Sequence, residues 1–175
     1  GNIDTRLKKI IDGEVDATLL ALAGLRRLGR ENVIMSVVDS EEMLPAVGQG
    51  VLAATCREGD LRSNTFIAAL AHPATTLAVL AERAMLAVLD GSCHTPIAGQ
   101  AQVVSDEELT LRGLILRPDG VEKAEVTLTG NGNEAERLGT RVAERLILEA
   151  GPSILDAIKR DQPIFIKPSI NPDTV

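Results

Sequence analysis

The chain has 175 residues, 45% of them hydrophobic, with two phenylalanines and neither tryptophan nor tyrosine. That length allows one or two domains, whose cores must be built from aliphatic side chains. The net charge of −7 and the shortage of aromatic rings argue against nucleic-acid or anionic-membrane binding, which require a positive field and stacking surfaces.

The first forty residues predict part of an α/β domain. A helix is expected over 4–13, a buried parallel strand over 15–22, a short helix over 22–28 and a second strand over 33–38. This order gives one strand–helix–strand unit, which is incomplete as an α/β domain because a parallel sheet needs further strands.

A loop over 40–50, rich in glycine and proline, follows. We expect a strand over 51–56, a helix over 62–70 and a long amphipathic helix over 73–90 that opens on Pro73. The long helix carries an apolar stripe at helical spacing: Leu77, Leu80, Ala81, Ala84, Val88 and Leu89.

The pattern after residue 96 predicts a self-contained α+β domain over 71–161. Its expected elements are three antiparallel strands and two helices, at 97–104, 109–116, 121–129, 134–150 and 152–160. The tail from Gln162 contains three prolines and is expected to be irregular or docked.

Cys93 stands between the long helix and the first of these strands. Gly91 is a natural helix stop and Pro96 stiffens the exit, so a thiol is presented on a short loop. The negative end of the helix disfavours the thiolate, which suits a single slow alkylation better than repeated nucleophilic catalysis. The alternative is that Cys93 packs as a small buried hydrophobic residue.

Arginines near the start of the chain are candidates for binding carboxylates. The planar forks of Arg6 and Arg27 suit an acidic ligand, and residues 1–35 carry a net charge of +1 while the remainder carries −8. Spacing alone leaves Arg26 or Arg30 as substitutes for Arg27, and solvated surface arginines as the simpler explanation.

The remaining candidates are weaker. Gln49, between Gly48 and Gly50, can approach a ligand through flexible backbone. Cys56 is expected in the core at the end of its strand. A zinc site could be drawn from the two cysteines and two histidines, Cys56, His72, Cys93 and His94. Their spacing contains none of the closely spaced ligand pairs that are typical of zinc sites. With two cysteines and no apolar run of membrane length, we expect a cytoplasmic protein.

Several segments in order resemble the porphobilinogen deaminase (hydroxymethylbilane synthase) family. They begin with Gly-Asn-Ile-Asp-Thr-Arg-Leu at 1–7 and continue along most of the chain to about residue 161. The others are Gly-Glu-Val-Asp-Ala at 13–17, Ala-Gly-Leu-Arg-Arg-Leu-Gly at 23–29, Leu-Pro-Ala-Val-Gly-Gln-Gly at 44–50, Cys-Arg at 56–57, Ala-Glu-Arg-Ala at 81–84, and Cys93 with Pro96-Ile97.

The resemblance implies a transferase of tetrapyrrole and heme biosynthesis that condenses four porphobilinogen molecules into hydroxymethylbilane and releases ammonia. It implies a dipyrromethane cofactor joined by a thioether to Cys93, with Arg6 and Arg27 binding carboxylates of cofactor and substrate. Gln49 corresponds to a residue lining the same cleft. Ser92, where the family usually has glycine, together with His94 and Thr95, departs from the family pattern.

The resemblance also implies a domain organisation. A periplasmic-binding-protein-like α/β region, the later part of domain two, would cover 1–44, and 45–70 would return to domain one. The α+β domain carrying the cofactor cysteine would cover 71–161, followed by the tail at 162–175. The family's catalytic aspartate lies in the first domain, so no acid of this chain is assigned a catalytic role.

By this comparison the expected partner is the missing N-terminal portion of the same protein, without which we expect no turnover. The expected small-molecule partner is porphobilinogen, with no nucleic acid, membrane or metal. Two other classes of function are open: a non-catalytic ligand-binding or assembly module on the same scaffold, and a zinc-binding regulatory domain.

Overall fold

The computed structural model describes residues 2–89, 95–105 and 107–161. The chain divides between Met43 and Leu44 into two compact units, each of which is treated by itself below. Among the described helices none is by itself long and apolar enough to cross a membrane; one pair of consecutive helices, over 61–68 and 73–88, passes that test together but is bent by 108°.

The first unit contains two short helices, as the sequence predicts. Helix α1 spans Ile3–Ile11 and begins where the Asn2 side chain accepts the Thr5 amide hydrogen at 2.8 Å. Helix α2 spans Leu22–Arg27, and a 3₁₀ turn follows at Glu31–Val33. Leu25 is the buried hydrophobic residue of this unit within the described chain.

Three predicted strands are wrong as strands. The segments 15–22, 33–38 and 51–56 have no strand pairing in the described part of the chain. The reason is physical: a helix satisfies its own backbone, whereas a strand exists only by bonding to a neighbour. Their apolar composition is compatible with a strand, but these residues have no partner strand within the described ranges.

The second unit begins with a turn-rich segment and two helices. Helix α3 spans Leu61–Ala68, and the Asp60 carboxylate caps it by accepting the Ser63 amide hydrogen at 3.0 Å. Hydrogen bonds from the backbone and side chain of Ser63 hold the pKa of Asp60 below its ordinary value. Helix α4 spans Pro73–Val88, with proline in its first turn as predicted.

The buried face of α4 differs in part from the predicted stripe. Ala81 is fully buried and Leu77 and Leu89 are partly buried, as expected. Leu80 and Val88, however, are about two-fifths exposed. Met85, which the stripe omitted, is fully buried and contacts the sheet close to Gly99 and Gly113. The buried face of α4 is thus turned about the helix axis, away from the predicted stripe and toward Met85.

Three antiparallel strands in the order β1-β2-β3 form the predicted sheet. The strands are β1 at Ile97–Ser105, β2 at Glu108–Leu116 and β3 at Lys123–Asn131. Strand β3 begins two residues later than expected, because the Arg117 amide bonds to the Glu122 carbonyl and extends the turn through residue 122. The antiparallel sheet with helices is therefore confirmed.

Helix α5, Ala135–Asp161, covers the sheet together with α4. Gly151 interrupts it with a φ of 59°, at the predicted boundary between two helices, immediately before Pro152. The shared core is aliphatic, as composition requires, and its fully buried large side chains are Met85, Leu109, Leu111, Ile115, Leu138, Val142 and Leu146.

Candidate cofactor- and substrate-binding site

Arg6 lies on the exposed surface of α1. Its Nη1 donates a hydrogen bond to the Leu19 carbonyl oxygen at 3.4 Å, just before α2 begins. A bond of that length is weak, so most of the guanidinium donors remain for another partner. The sequence assigned this residue to carboxylate binding, and its exposure is compatible with that role.

The three arginines at the end of α2 differ in their partners. Arg26 pairs with Glu31 at 3.3 Å and Arg30 pairs with Asp4 at 3.2 Å. Arg27 is exposed and has no ion-pair or hydrogen-bond partner among the described residues. Of the three arginines between which sequence spacing could not choose, Arg27 is thus the one whose donors are all available to a carboxylate.

Helices α1 and α2 are adjacent within the first unit. A Cβ at Gly24 would lie 3.1 Å from the Ile3 side chain, and the Arg30–Asp4 ion pair joins the two helices. The absence of a side chain at Gly24 lets the helices approach closely. Arg6 and Arg27 therefore belong to two helices that pack against each other.

Gln49 lies in the second unit, on a turn between two glycines. Gly48 and Gly50 have φ values of 74° and 75°, and the Gln49 amide donates to the Ala46 carbonyl at 3.3 Å. Left-handed backbone on both sides favours glycine at those positions. The exposed Gln49 side chain lines a cavity of about 210 Å³ beside α4 and β1.

Glu82 fixes this turn and is a residue that sequence reasoning missed. Its buried carboxylate accepts the Gly48 amide hydrogen at Oε2 and the Ala101 amide hydrogen at Oε1, each at 2.8 Å. It therefore joins α4, β1 and the Gln49 turn. The sequence carried a usable indication, since Glu82 is four residues after Ala78 and three before Met85, on one face of the helix.

Cys93, the predicted cofactor attachment point, falls within residues 90–94 and lies outside the described residues, as do Ser92 and His94. In chain order this segment joins α4 to β1. That Cys93 is the cofactor attachment point therefore stays a prediction.

The expectation for Cys56 is wrong. Cys56 is exposed, because the strand expected to bury it does not form among the described residues. Of the other residues considered for zinc, His72 caps α4, with its Nδ1 2.9 Å from the Thr75 hydroxyl and also accepting the Thr75 amide hydrogen. His94 and Cys93 lie outside the described residues.

Comparison with known proteins places both units in one family. Residues 1–65 match the family model described as porphobilinogen deaminase, dipyrromethane cofactor binding domain. Residues 76–148 match the model described as porphobilinogen deaminase, C-terminal domain. The chain belongs to the porphobilinogen deaminase family. Arg6, Arg27 and Gln49 fall within the first match, and Cys93 falls within the second.

Two curated relatives, each named porphobilinogen deaminase, agree with this assignment. The chain is 49% identical to the protein of Nitrobacter winogradskyi and 47% identical to that of Nitrobacter hamburgensis, over 151 residues in each case. These alignments cover 86% of the chain but 48% of each relative. The chain thus spans about half the length of the curated relatives it matches.

Proposed function

We propose that this chain is part of a porphobilinogen deaminase, a transferase that condenses four porphobilinogen molecules into hydroxymethylbilane with release of ammonia. The observation that carries the proposal is the exposed guanidinium of Arg27, which has no partner in the described part of the chain, beside ion-paired arginines and within the segment matching the cofactor-binding domain. Porphobilinogen carries two carboxylates, so its binding needs cationic forks that are not already neutralised.

The dipyrromethane cofactor suits the same residues. It carries carboxylate side chains, and the available donors of Arg27 and Arg6 fit that chemistry. We propose that Cys93 holds the cofactor by a thioether, and that Arg6 and Arg27 orient its carboxylates and those of the substrate. When bound, the cofactor supplies the pyrrole carbon to which the first substrate is joined.

Each condensation breaks the bond between the aminomethyl carbon and its nitrogen, so ammonia leaves. A carbon–carbon bond forms to the free α-carbon of the preceding pyrrole, which then loses its proton. In this scheme the arginines of this chain bind and orient anions, and Gln49 lines the cleft through its amide. The Glu82 carboxylate holds the Gln49 turn by its backbone. No acid of this chain is proposed as the proton carrier.

The finer organisation is also a proposal. Residues 1–44 would form the later part of a periplasmic-binding-protein-like α/β domain, 45–70 a segment returning to another domain, 71–161 the α+β domain and 162–175 its tail. The division of the chain between Met43 and Leu44 supports the end of the first segment, and the core built from Leu77 onward, against which Val47 also packs, supports the α+β domain. We propose a cytoplasmic location, supported by the exposed free thiol of Cys56.

The test uses a full-length protein in which the unmatched part of the Nitrobacter winogradskyi relative is joined ahead of Gly1. We expect Arg27→Ala to lower kcat/KM for porphobilinogen by about 10- to 100-fold, the effect of losing one charge-assisted hydrogen bond. Arg26→Ala is the matched control. We expect it to change kcat/KM by less than about threefold, since the exposed ion pair of Arg26 with Glu31 contributes little free energy.

Equal losses in the two variants would overturn the assigned role of Arg27. Absence of bilane from the joined protein, and from the chain supplied with the same segment as a separate polypeptide, would overturn the proposed activity. Ammonia release and a pyrrole-specific colour reaction measure the two products separately.

A further inference from the structure

The turn over residues 45–50, which carries Gln49, is fastened along the outer edge of β1. The Pro45 carbonyl oxygen accepts the Gly99 amide hydrogen at 2.9 Å. Val47, two residues further along, packs against the aliphatic core, and a Cβ at Gly99 would lie 3.3 Å from its side chain. The first half of the turn is thus held by one backbone hydrogen bond and one apolar contact.

Glu82 holds the second half of the turn. Its Oε2 accepts the Gly48 amide hydrogen, one residue before Gln49, and its Oε1 accepts the Ala101 amide hydrogen of β1, each at 2.8 Å. The residue is buried, and a carboxylate in such surroundings accepts stronger hydrogen bonds than a neutral or solvated group does. A single side chain of α4 therefore ties the backbone next to Gln49 to both α4 and β1.

The amide group of Gln49 is available to a ligand. Its side chain has no hydrogen-bond partner in the described part of the chain, and the residue lines the cavity of about 210 Å³ that Glu82 also lines. A primary amide has two donor hydrogens and an acceptor oxygen, so it can bond either to a carboxylate or to a pyrrole N–H. The backbone that carries this group is fixed, whereas the group itself is uncommitted.

We propose that Glu82 is a positioning residue for porphobilinogen and acts through the turn that carries Gln49. This inference rests on the proposed function, in which Gln49 lines the substrate cleft. Both oxygens of the Glu82 carboxylate are engaged by backbone donors, so Glu82 carries no proton in the reaction and makes no contact with the substrate. Its role is to hold the Gln49 amide in the geometry that the substrate meets.

This role predicts a particular kinetic signature. A released turn must be ordered again when the substrate binds, and that ordering weakens binding. The cost is the same for the bound substrate and for the transition state, because the turn is ordered in both. Loss of Glu82 is therefore expected to raise KM and to leave kcat nearly unchanged.

The first test is hydrogen exchange on the 175-residue chain and requires no activity. Glu82→Met removes both acceptor oxygens and keeps an unbranched side chain. We expect the Gly48 and Gln49 amides to exchange at least about tenfold faster than in the native chain. Val142→Ala is the matched control, because it weakens the same core at a site on α5 and should leave both amides unchanged.

Circular dichroism verifies that Glu82→Met folds. If it does not, Glu82→Gln takes its place in every measurement. This variant keeps one acceptor oxygen and is expected to change the same quantities in the same direction, by a smaller factor.

The second test is a kinetic cycle in the full-length joined protein described above. Glu82→Met should raise KM for porphobilinogen about 3- to 10-fold and change kcat by less than about twofold. Gln49→Ala should raise KM by a similar factor. The double variant should have the KM of Gln49→Ala alone, because a turn without its glutamine has no amide to position. Val142→Ala should leave KM unchanged.

Unchanged exchange at the Gly48 and Gln49 amides, or an unchanged KM, would overturn the proposal. So would single effects that multiply in the double variant, or an equal rise of KM in Val142→Ala, since Glu82 would then act only through general stability. Absence of bilane from the unsubstituted joined protein would instead overturn the proposed function. The exchange measurement would then still decide whether Glu82 holds the turn.

Discussion

The two units of this chain use similar proportions of apolar residues to very different effect. In the second unit, α4, α5 and the sheet bury an aliphatic core in which seven large side chains are essentially inaccessible. In the first unit Leu25 is the buried hydrophobic residue within the described ranges, while Ile11 and Met35 are more than four-fifths exposed. Caps, turns and a few contacts between α1 and α2 hold the first unit, whereas a shared aliphatic core holds the second.

This difference shows which structural elements form independently of partners. Helices α1 and α2 form in the less buried unit because their backbone hydrogen bonds are internal and Asn2 caps the first of them. The apolar segments at 15–22 and 33–38 remain without strand partners. We therefore expect substitutions in the core of the second unit to cost much and substitutions in the first unit to cost little. The Gly139 and Gly24 variants test this contrast, and two further predictions concern polar side chains of the second unit.

The largest effect is expected at Gly139, where α5 crosses α4. A Cβ there would overlap the Ala81 carbonyl oxygen and lie 2.8 Å from the Ala84 Cβ. Gly139→Ala should therefore lower the free energy of unfolding by about 3 kcal/mol, although alanine is the better helix former. Urea titration followed by circular dichroism measures this, since the chain has no tryptophan or tyrosine.

The control is Gly24→Ala in the first unit, where the Cβ meets only the movable end of the Ile3 side chain at 3.1 Å. We expect a change of less than about 0.5 kcal/mol, because alanine's helix propensity offsets the crowding. Equal losses at Gly24 and Gly139 would contradict the proposed difference between the units.

A smaller effect is expected at Glu82, which ties the Gln49 turn to the packed unit. Glu82→Gln replaces one acceptor oxygen by an NH₂ group that faces a backbone N–H, so one buried donor loses its partner. The expected cost is about 1–3 kcal/mol, with faster hydrogen exchange at the Gly48 and Ala101 amides. The exposed Glu144→Gln is the control and should change neither. Unchanged exchange at both amides would show that the turn is held by other contacts.

The smallest effect is expected at Glu125, on the open face of the sheet. Hydrogen bonds from Lys123 and Arg112 hold the pKa of Glu125 below its ordinary value. A lowered pKa in the folded state stabilises the protein above the ordinary glutamate pKa of about 4.3 and loses that contribution as the pH falls through the folded pKa.

Glu125→Gln should therefore cost about 0.5–1 kcal/mol at pH 7, and the difference from the native chain should shrink as the solution is acidified below about pH 4. Urea titrations at several pH values measure this difference. A cost that stays constant down to the lowest pH at which the chain folds would contradict the ion-pair explanation.

The sequence predicted the second unit well because its patterns agree with its contacts. The strands expected at 97–104, 109–116 and 121–129, and the break expected between helices 134–150 and 152–160, lie within about two residues of the observed positions. Glu82 was missed because its place on the buried face of α4 indicates burial but does not identify the Gly48 and Ala101 amides whose hydrogens its carboxylate accepts. The exposure of Cys56 and the unpaired segments were not predictable, since pairing depends on neighbours that periodicity does not describe.

For the candidate site, the sequence supplied the residue types and the structure distinguished among them. Arg26, Arg27 and Arg30 are equivalent by spacing, and only the ion pairs with Glu31 and Asp4 separate the engaged arginines from the available one. Those pairs span five and 26 residues of sequence, and the longer one is set by the packing of α1 on α2. Such distant partners are what a single sequence does not reveal.

The most direct test of the central claim is the intact mass of the chain joined to the unmatched part of the Nitrobacter winogradskyi relative and purified in active form. We predict an excess equal to two linked pyrroles, retained in Cys56→Ser and lost in Cys93→Ser. An active protein with an unmodified Cys93, or an excess that disappears with Cys56 instead, would contradict the account.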